Sequence, residues 1–195
     1  MFFYFARQLN GQHLHRCSFH KVKPIMKILP DIETYAALDF EASSLAQDSW
    51  PIEVGLSWME NGDVRTWSSL IRPAPEWSLS AWSSRSAAVH GVTHEALHDA
   101  PTAPGVVEEF FKILDGKSLV SDAPEFDARW FSRLLQAGGC YTVPTVADYH
   151  DVSFARFSGL ALDMLYETLG RHPAPHRAGP DSARLLRAWR VALQY

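Results

Sequence analysis

The turn at Asn61-Gly62-Asp63 restricts the fold of this chain more than any other short segment. Before it, apolar residues alternate with polar or small ones over residues 52–58, and a second segment of the same kind covers residues 64–71. A period of two is typical of a β-strand, and Asn-Gly accepts the positive φ angles of a tight hairpin turn. The sequence therefore predicts an antiparallel hairpin.

Further strands and helices are predicted around this hairpin. An apolar run over residues 35–41 predicts a buried strand that ends in carboxylates, and the Pro- and Ser-rich residues 73–86 predict a long loop. The remaining segments predict strands at 118–121 and 143–149, and helices at 93–97, 102–114, 124–137, 158–169 and 180–194. This order predicts an α/β fold with a mixed five-stranded sheet, antiparallel in its first three strands and flanked by helices.

Length and composition limit the chain to one domain, predicted at residues 34–195. With 195 residues, 47% of them hydrophobic, the chain can bury one core. Its two cysteines, Cys17 and Cys140, argue against a disulfide framework and predict a reducing, cytoplasmic location. No apolar run reaches 18 residues, so the sequence predicts no membrane span.

The first 33 residues differ in charge from the rest of the chain. Residues 1–30 contain five basic and no acidic residues, so the net charge of −4 becomes −9 for residues 31–195. This segment predicts a basic, disordered extension, with Met26 as an alternative start; a transit peptide or a basic arm on nucleic acid is also compatible with it. The acidic remainder argues against coating long nucleic acid and is compatible with binding a strand end.

Carboxylates stand at three points where predicted elements begin or end. Asp39 and Glu41 are two residues apart in a strand, so their side chains share one face. Asp127 follows the start of a helix, and Asp181 lies in the first turn of the last helix, just after His176 in the preceding loop. Four carboxylates and one imidazole can hold two hard divalent cations, Mg²⁺ or Mn²⁺, and deprotonate a water. This set predicts a metal-dependent nuclease site.

Each of these acids also has a structural alternative. The two acids on the strand can be salt-bridged or solvated, and an acid in a first helical turn can offset the helix dipole. Asp122 and Glu125 compete with Asp127 for the position that faces the site. An apolar stripe containing Phe126 and Trp130 favours Asp127, because that stripe would hold the Asp127 carboxylate at the edge of the sheet.

In order and spacing, these residues resemble the three motifs of the DEDDh 3′-to-5′ exonucleases of the RNase H-like fold, relatives of polymerase proofreading subunits and ribonuclease T. The motifs correspond to residues 39–41, 121–127 and 176–181; residues 89–93 resemble a further family stretch, and the resemblance covers about residues 35–192. It implies that Asp39, Glu41, Asp127 and Asp181 bind two Mg²⁺ or Mn²⁺ ions and that His176 is the general base. It also implies release of nucleoside 5′-monophosphates from the 3′ end of DNA or RNA, and a homodimer is compatible with it.

The same resemblance suggests which residues would hold the terminal nucleotide. They are Ala42, Ser43, Ser44, His90 and Phe126. Many family members have Thr-Thr-Gly where residues 42–45 stand here, and the two serines can instead form a turn. The second motif often has Asn at the position of Asp122. These departures leave the implied metal ligands intact and concern how the terminal sugar and base are held.

Other aromatic and basic residues are candidates for nucleic-acid contacts. Trp77 and Trp82 can stack on unpaired bases or cap the core. Six arginines complete the candidates: Arg85, Arg129 and Arg177 as phosphate contacts, and Arg184, Arg187 and Arg190 on a face of the last helix expected to be solvated. Two other functions stay open: a small-nucleotide or dinucleotide phosphodiesterase, and a non-catalytic RNase H-like module that binds nucleic acid or protein.

Overall fold

A computed structural model describes residues 31–195 and contains one five-stranded sheet of order β3-β2-β1-β4-β5. The strands are β1 (Tyr35–Ala42), β2 (Pro51–Glu60), β3 (Asp63–Leu70), β4 (Ser118–Ser121) and β5 (Val146–Asp148). The first three pair antiparallel, whereas β4 is parallel to β1 and β5 is parallel to β4. The turn between β2 and β3 has positive φ at both Asn61 and Gly62. The predicted α/β fold with a mixed sheet is confirmed.

Within residues 31–195, six α-helices flank the sheet. They are α1 (Ser84–His90), α2 (Ala103–Leu114), α3 (Pro124–Ala137), α4 (Tyr149–Arg156), α5 (Leu160–Arg171) and α6 (Ala178–Ala192). The start of α1 and a 3₁₀ turn, Leu79–Ala81, fall within the segment predicted as a loop, and α4 was not predicted. The side chains of Ser83 and Asp148 accept backbone N–H groups at the starts of α1 and α4, so capping residues carried the missed signal. The helix predicted at 93–97 is a 3₁₀ turn, Glu95–Leu97.

Helices on the two faces of the sheet enclose two separate hydrophobic clusters. On one face, Leu38 and Phe40 of β1 belong to a cluster with Phe110 of α2 and Phe131 of α3. On the other face, apolar residues of β1 and β4 pack with α5 and α6 around the fully buried Trp189. Because alternate residues of a strand point to opposite faces, β1 takes part in both clusters.

The start of α6 lies directly against β2. A Cβ atom at Gly55 would lie 2.0 Å from the carbonyl oxygen of Ala178, so this approach requires glycine. Nearby, the hydroxyls of Ser57 and Ser182 are 2.9 Å apart and form a buried hydrogen bond between β2 and α6. Gly55 is the cross-strand partner of Asp39. The contact therefore brings the start of α6 over the acidic end of β1.

The apolar stripe of α3 differs from the prediction at its start. Phe126 is 42% exposed, whereas Asp127 is 2% exposed. The buried positions 127, 130, 131, 134 and 135 follow helical spacing, so the carboxylate and not the phenyl ring begins the inner face. The expected position of Phe126 in the core is therefore wrong.

The predicted extension, residues 1–33, lies outside the described residues except for its last three. Within those three, Ile32 begins a 3₁₀ turn, Ile32–Thr34, and is buried in the cluster that contains Ala37 and Trp189. Among the helices of residues 31–195, none combines the length and apolar character needed to cross a bilayer.

Candidate active site

Three carboxylates converge where β1 meets the start of α6. Asp39, Glu41 and Asp181 each offer one oxygen, and these oxygens lie within 4.8 Å of one another. One oxygen of Asp181, Oδ2, accepts the backbone N–H of Arg177 at 3.0 Å, whereas the buried Oδ1 has no hydrogen-bond partner among the described residues. Clustered carboxylates with an unsatisfied buried oxygen are the ligand set that a hard divalent cation requires. The residues present therefore fit Mg²⁺ or Mn²⁺.

Burial and mutual repulsion raise the pKa values of these acids. Loss of hydration raises the pKa of Asp39 well above its usual range, and the charges of Asp127 and Glu41 raise it further. Burial, with repulsion from Asp181 and Glu53, raises the pKa of Glu41 to about 7. The pKa of Asp181 is raised as well, chiefly by burial. A cation among these groups would favour their charged forms and relieve the repulsion.

Asp127 and Asp122 stand differently toward this cluster. Asp127 is buried and does not line the cavity that lies over the three carboxylates. Its Oδ2 accepts a hydrogen bond from the hydroxyl of Ser121. Burial raises the pKa of Asp127 to about 8 in spite of that hydrogen bond. Asp122 lines the cavity, with its Oδ2 4.0 Å from Nη1 of Arg184. Of the two, Asp127 repels Asp39 more strongly, and Asp122 is the one with direct access to the cavity.

A cavity of about 340 Å³ lies over the carboxylates. Among the residues predicted for the site, it is lined by Asp39, Glu41, Ala42, Ser44, His90, His176 and Asp181. His176 is exposed and has a positive φ of 56° in the loop before α6. The loop conformation thus places its imidazole at the cavity next to Asp181, whose pKa the imidazole charge lowers.

His90 contributes a hydrogen-bond donor to the cavity wall. Its Nδ1 accepts the backbone N–H of Val92 at 3.1 Å, so the neutral ring carries its proton on Nε2. Burial lowers the pKa of His90, which favours this neutral form. The buried Nε2 has no partner among the described residues. The Nε2–H of His90 is therefore a donor that no described residue satisfies.

Two residues predicted to hold substrate lie away from the cavity. Ser43 is fully buried, and its hydroxyl accepts the backbone N–H of Trp50 at 3.0 Å, which is the turn-forming role. Phe126 stands outside, with its ring centroid 5.7 Å from that of Trp130 and 5.2 Å from the Arg129 guanidinium carbon. Ser44 lines the cavity although its hydroxyl also accepts the N–H of Ala46.

An ion pair that the sequence analysis missed ties the His176 loop to the sheet. Glu53 of β2 is 2% exposed and accepts Nε of Arg177 at 2.8 Å and Nη2 at 2.9 Å. The backbone N–H of Ala178 donates to the same carboxylate at 3.3 Å. A Glu between the apolar residues Ile52 and Val54 of β2 was the available signal. Glu53 engages Nε and Nη2 of Arg177, whose side chain is 44% exposed, and its role as a phosphate contact stays a prediction.

The two tryptophans proposed as base-stacking platforms pack on the core. The ring of Trp77 stacks on Trp50 with centroids 5.8 Å apart and planes 14° from parallel, and Trp77 is only 7% exposed. Trp82 also contacts Trp50 and lies edge-on to His90. Their position supports the alternative in which they cap the core.

Several known proteins are similar to this chain in sequence or in fold. The exonuclease family model RNase_T matches residues 36–188. The chain is 28% identical over 159 residues to the PolC-type DNA polymerase III of Thermotoga petrophila, covering 78% of this chain and 11% of that protein. It is 28% identical over 138 residues to the 3′-5′ exonuclease DinG of Bacillus subtilis, covering 67% of this chain and 14% of that protein. The chain thus spans a small part of the length of these relatives.

A solved structure extends the comparison to the fold. The nuclease domain of 3′hExo, a DEDDh family member crystallised with rAMP, superposes with a TM-score of 0.60 at 20% identity, covering 82% of this chain and 91% of that chain. Its likeness shows a common fold. The family match over residues 36–188 assigns this chain to the RNase_T exonuclease family.

Proposed function

We propose that this chain hydrolyses single-stranded or short nucleic acid, DNA or RNA, from the 3′ end and releases nucleoside 5′-monophosphates. The observation that carries the proposal is the approach of Asp39, Glu41 and Asp181 to within 4.8 Å, with the buried Oδ1 of Asp181 unpartnered. Three carboxylates held together and partly withdrawn from water repel one another unless a cation compensates them. The raised pKa values of all three support this reading.

Four acids are proposed as ligands of two Mg²⁺ or Mn²⁺ ions. Asp39, Glu41 and Asp181 would hold one ion, and Asp39 and Asp127 would hold the other. Asp39 is assigned to both ions because the charges of Asp127, Glu41 and Asp181 all raise its pKa. When bound, two such ions would supply Lewis-acid chemistry: a lowered pKa of the attacking water and charge stabilisation at the scissile phosphate and the leaving 3′-oxygen. The protein itself keeps Asp127 in place through Ser121 and Asp181 in place through the Arg177 amide.

His176 is proposed as the general base. Its imidazole lines the same cavity as the carboxylates, and a neutral imidazole can take the proton from the attacking water. The charge of Asp181 is close enough to interact with the imidazolium that forms. Because the loop is anchored by Glu53 through Arg177, the imidazole is held near the site before substrate arrives.

The cavity suits the end of a strand. Its volume of about 340 Å³ is at the lower end of the range for small-molecule sites, roughly 300 to 1,000 Å³. We propose that it takes the 3′-terminal nucleotide, with the Nε2–H of His90 donating to a sugar or phosphate oxygen. The same cavity size and the acidic body favour a second candidate, a phosphodiesterase for dinucleotides. A non-catalytic module is disfavoured because all five motif residues are present.

The first test is cleavage of 5′-labelled DNA and RNA oligonucleotides of two to twenty nucleotides with Mg²⁺, Mn²⁺ or EDTA. We expect a ladder of products shortened from the 3′ end, released 5′-monophosphates, and no cleavage in EDTA. Cleavage restricted to dinucleotides would select the second candidate. Cleavage that persists in EDTA would remove the metal-dependent mechanism.

A matched pair of variants separates the two neighbouring acids of the second motif. Asp127→Asn should abolish most of the activity, because it removes a proposed metal ligand, whereas Asp122→Asn should keep it within a few-fold. Both variants replace one carboxyl group by an amide of the same size, so the two substitutions are sterically matched. If Asp122→Asn is the inactive one, then Asp122 and not Asp127 is the ligand.

A further inference from the structure

A second cavity, also of about 340 Å³, lies behind the loop that carries His176. The residues of this loop alternate: Ala174 and His176 line the active-site cavity, whereas Pro173 and Pro175 line the second cavity. Its other wall is α6, which contributes Arg184, Arg187 and Arg190. We call this second cavity the arginine groove. The three arginines are three residues apart, so they lie on one face of the helix.

The charge of the arginine groove is opposite to that of the chain around it. Residues 31–195 carry a net charge of −9, yet no acidic residue lines the arginine groove in this described part of the chain. An acidic protein repels a polyanion, so a strand can be held only where positive charge is concentrated. The arginine groove provides such a place beside the proposed active site.

Arg184 connects the arginine groove to the active-site cavity, because it lines both. Its Nη2 donates to the carbonyl of Leu169 at 3.1 Å, and its Nε donates to the carbonyl of His172. These bonds fix the guanidinium between the end of α5 and the start of α6. A positive charge therefore stands at the junction of the two cavities.

The side chains of the other two arginines can bind a ligand without losing strong contacts within the protein. Arg187 is exposed, and its side chain makes no hydrogen bond or ion pair with another residue of the described chain. Arg190 lies 3.8 Å from Asp63, whose side chain is 70% exposed, and such surface pairs contribute about 0 to 1 kcal/mol. Guanidinium groups present planar, paired donors that match phosphate oxygens.

We propose that the arginine groove binds the phosphodiester backbone of the substrate strand on the 5′ side of the nucleotide being removed. This inference rests on the proposed function, because the terminal nucleotide would occupy the active-site cavity and only the upstream part of the strand continues beyond it. From residue 184 to residue 190 the helix rises about 9 Å, which matches the spacing of two or three consecutive phosphates. The arginine groove would then make the enzyme prefer oligonucleotides over dinucleotides.

The test compares binding and turnover in a charge-neutralised variant, Arg187→Gln/Arg190→Gln. Binding of a fluorescent 12-mer with 3′-terminal phosphorothioate linkages is measured by anisotropy in Ca²⁺ between 50 and 200 mM salt. Each lost phosphate contact lowers the slope of log affinity against log salt by about 0.7, so the slope should fall by about 1.4. Over this salt range, wild-type affinity would fall about sevenfold more than that of the variant.

Turnover of the p-nitrophenyl ester of thymidine 5′-monophosphate supplies the second readout. This ester fills the active-site cavity alone, so its kcat/KM should not change in the variant, whereas KM for the 12-mer should rise. The control is Lys112→Gln/Arg156→Gln, which removes the same charge at exposed positions outside both cavities. It should leave the salt slope unchanged.

Three outcomes would overturn the proposal. An unchanged salt slope in the variant would show that the arginines do not contact the strand. If the salt slope falls equally in the control variant, the effect comes from bulk charge. If kcat/KM for the ester falls as much as that for the 12-mer, the substitutions act on the active-site cavity. Absence of any cleavage by the wild type, with normal binding of the 12-mer, would instead refute the proposed hydrolysis and leave the binding result valid.

Discussion

On one side of β1, Leu38 and Phe40 pack among the aromatic residues of α2 and α3. On the other side of the same strand, Asp39 and Glu41 face Asp181 at the start of α6. The two faces are one residue apart in sequence but opposite in chemistry. The apolar face stabilises the fold, whereas the acidic face gathers charges whose burial and repulsion oppose folding until a cation binds.

This contrast explains why the site is built at this point. A strand held firmly on its apolar face can carry acids on its other face without losing its position. The acids then converge in the absence of a ligand, so that little reorganisation is needed on binding. The following predictions test the contrast between the apolar and acidic faces of β1, beginning with the largest effect.

Asp39→Asn should reduce kcat/KM by about a thousandfold, because loss of a proposed bridging ligand removes roughly 4 kcal/mol of transition-state stabilisation. In EDTA the same substitution should leave the melting temperature unchanged or raise it, since it removes a carboxylate whose pKa burial and repulsion raise. Kinetics on a 5′-labelled oligonucleotide and a thermal melt provide both values. Activity within tenfold of wild type would contradict the role of Asp39.

Leu38→Ala, one residue away, should show the reverse pattern. Removal of a fully buried side chain from the apolar face should lower the free energy of unfolding by about 3 kcal/mol. Activity per folded molecule should stay close to wild type at a temperature where the variant is folded. Urea denaturation measures the stability change. The contrast between the faces fails if Asp39→Asn destabilises the metal-free protein more than Leu38→Ala does.

Arg177→Gln tests the ion pair that anchors the His176 loop to β2. It would leave the buried Glu53 with only the Ala178 N–H as partner, so we expect a loss of about 2 kcal/mol, below the full value for a buried pair because Arg177 is partly exposed. The looser loop should also lower kcat more than it changes KM. Arg171→Gln is the control, because its exposed pair with Glu167 should contribute less than about 0.5 kcal/mol. Equal losses of unfolding free energy in Arg177→Gln and Arg171→Gln would contradict the anchoring role of Arg177.

Metal removal should make the stability of the protein depend on pH. Burial raises the pKa of Glu41 from 4.5 to about 7 and that of Asp127 from 3.8 to about 8, so the folded state holds these protons more tightly than the unfolded chain. The resulting stabilisation is fully present below about pH 4 and is lost as the pH rises through 7 and 8. In EDTA the melting temperature should therefore fall by roughly 10 °C between pH 6 and pH 8.5.

Added Mn²⁺ reverses this trend, because a cation favours the ionised carboxylates. The increase in melting temperature on adding Mn²⁺ should be larger at pH 8 than at pH 6. Asp39→Asn should reduce the increase at both values. A metal effect of equal size at the two pH values would show that these acids are already ionised in the metal-free protein.

Much of the fold could be predicted because it depends on local patterns. The alternation in β2 and the turn at Asn61-Gly62-Asp63 define the hairpin, and the helical spacing of apolar residues defines α2, α3 and α5 within a few residues. The short helices α1 and α4 were missed, because each has less than three turns of pattern and depends on its capping residue. Phe126 was assigned to the core because an aromatic residue usually belongs there, yet helix phase gave that place to Asp127.

Sequence spacing by itself determined that Asp39 and Glu41 share a face and that Asp181 lies in the first turn of a helix, since both follow from the geometry of a single element. Only the tertiary structure decided that these acids meet. It does so through contacts between β2 and α6: Gly55 lets the chain at Ala178 approach, and Glu53 holds Arg177 across a separation of 124 residues. Such contacts depend on packing between distant segments, which no local pattern encodes, and the arginine groove arises from the same packing of α6 against the loop before it.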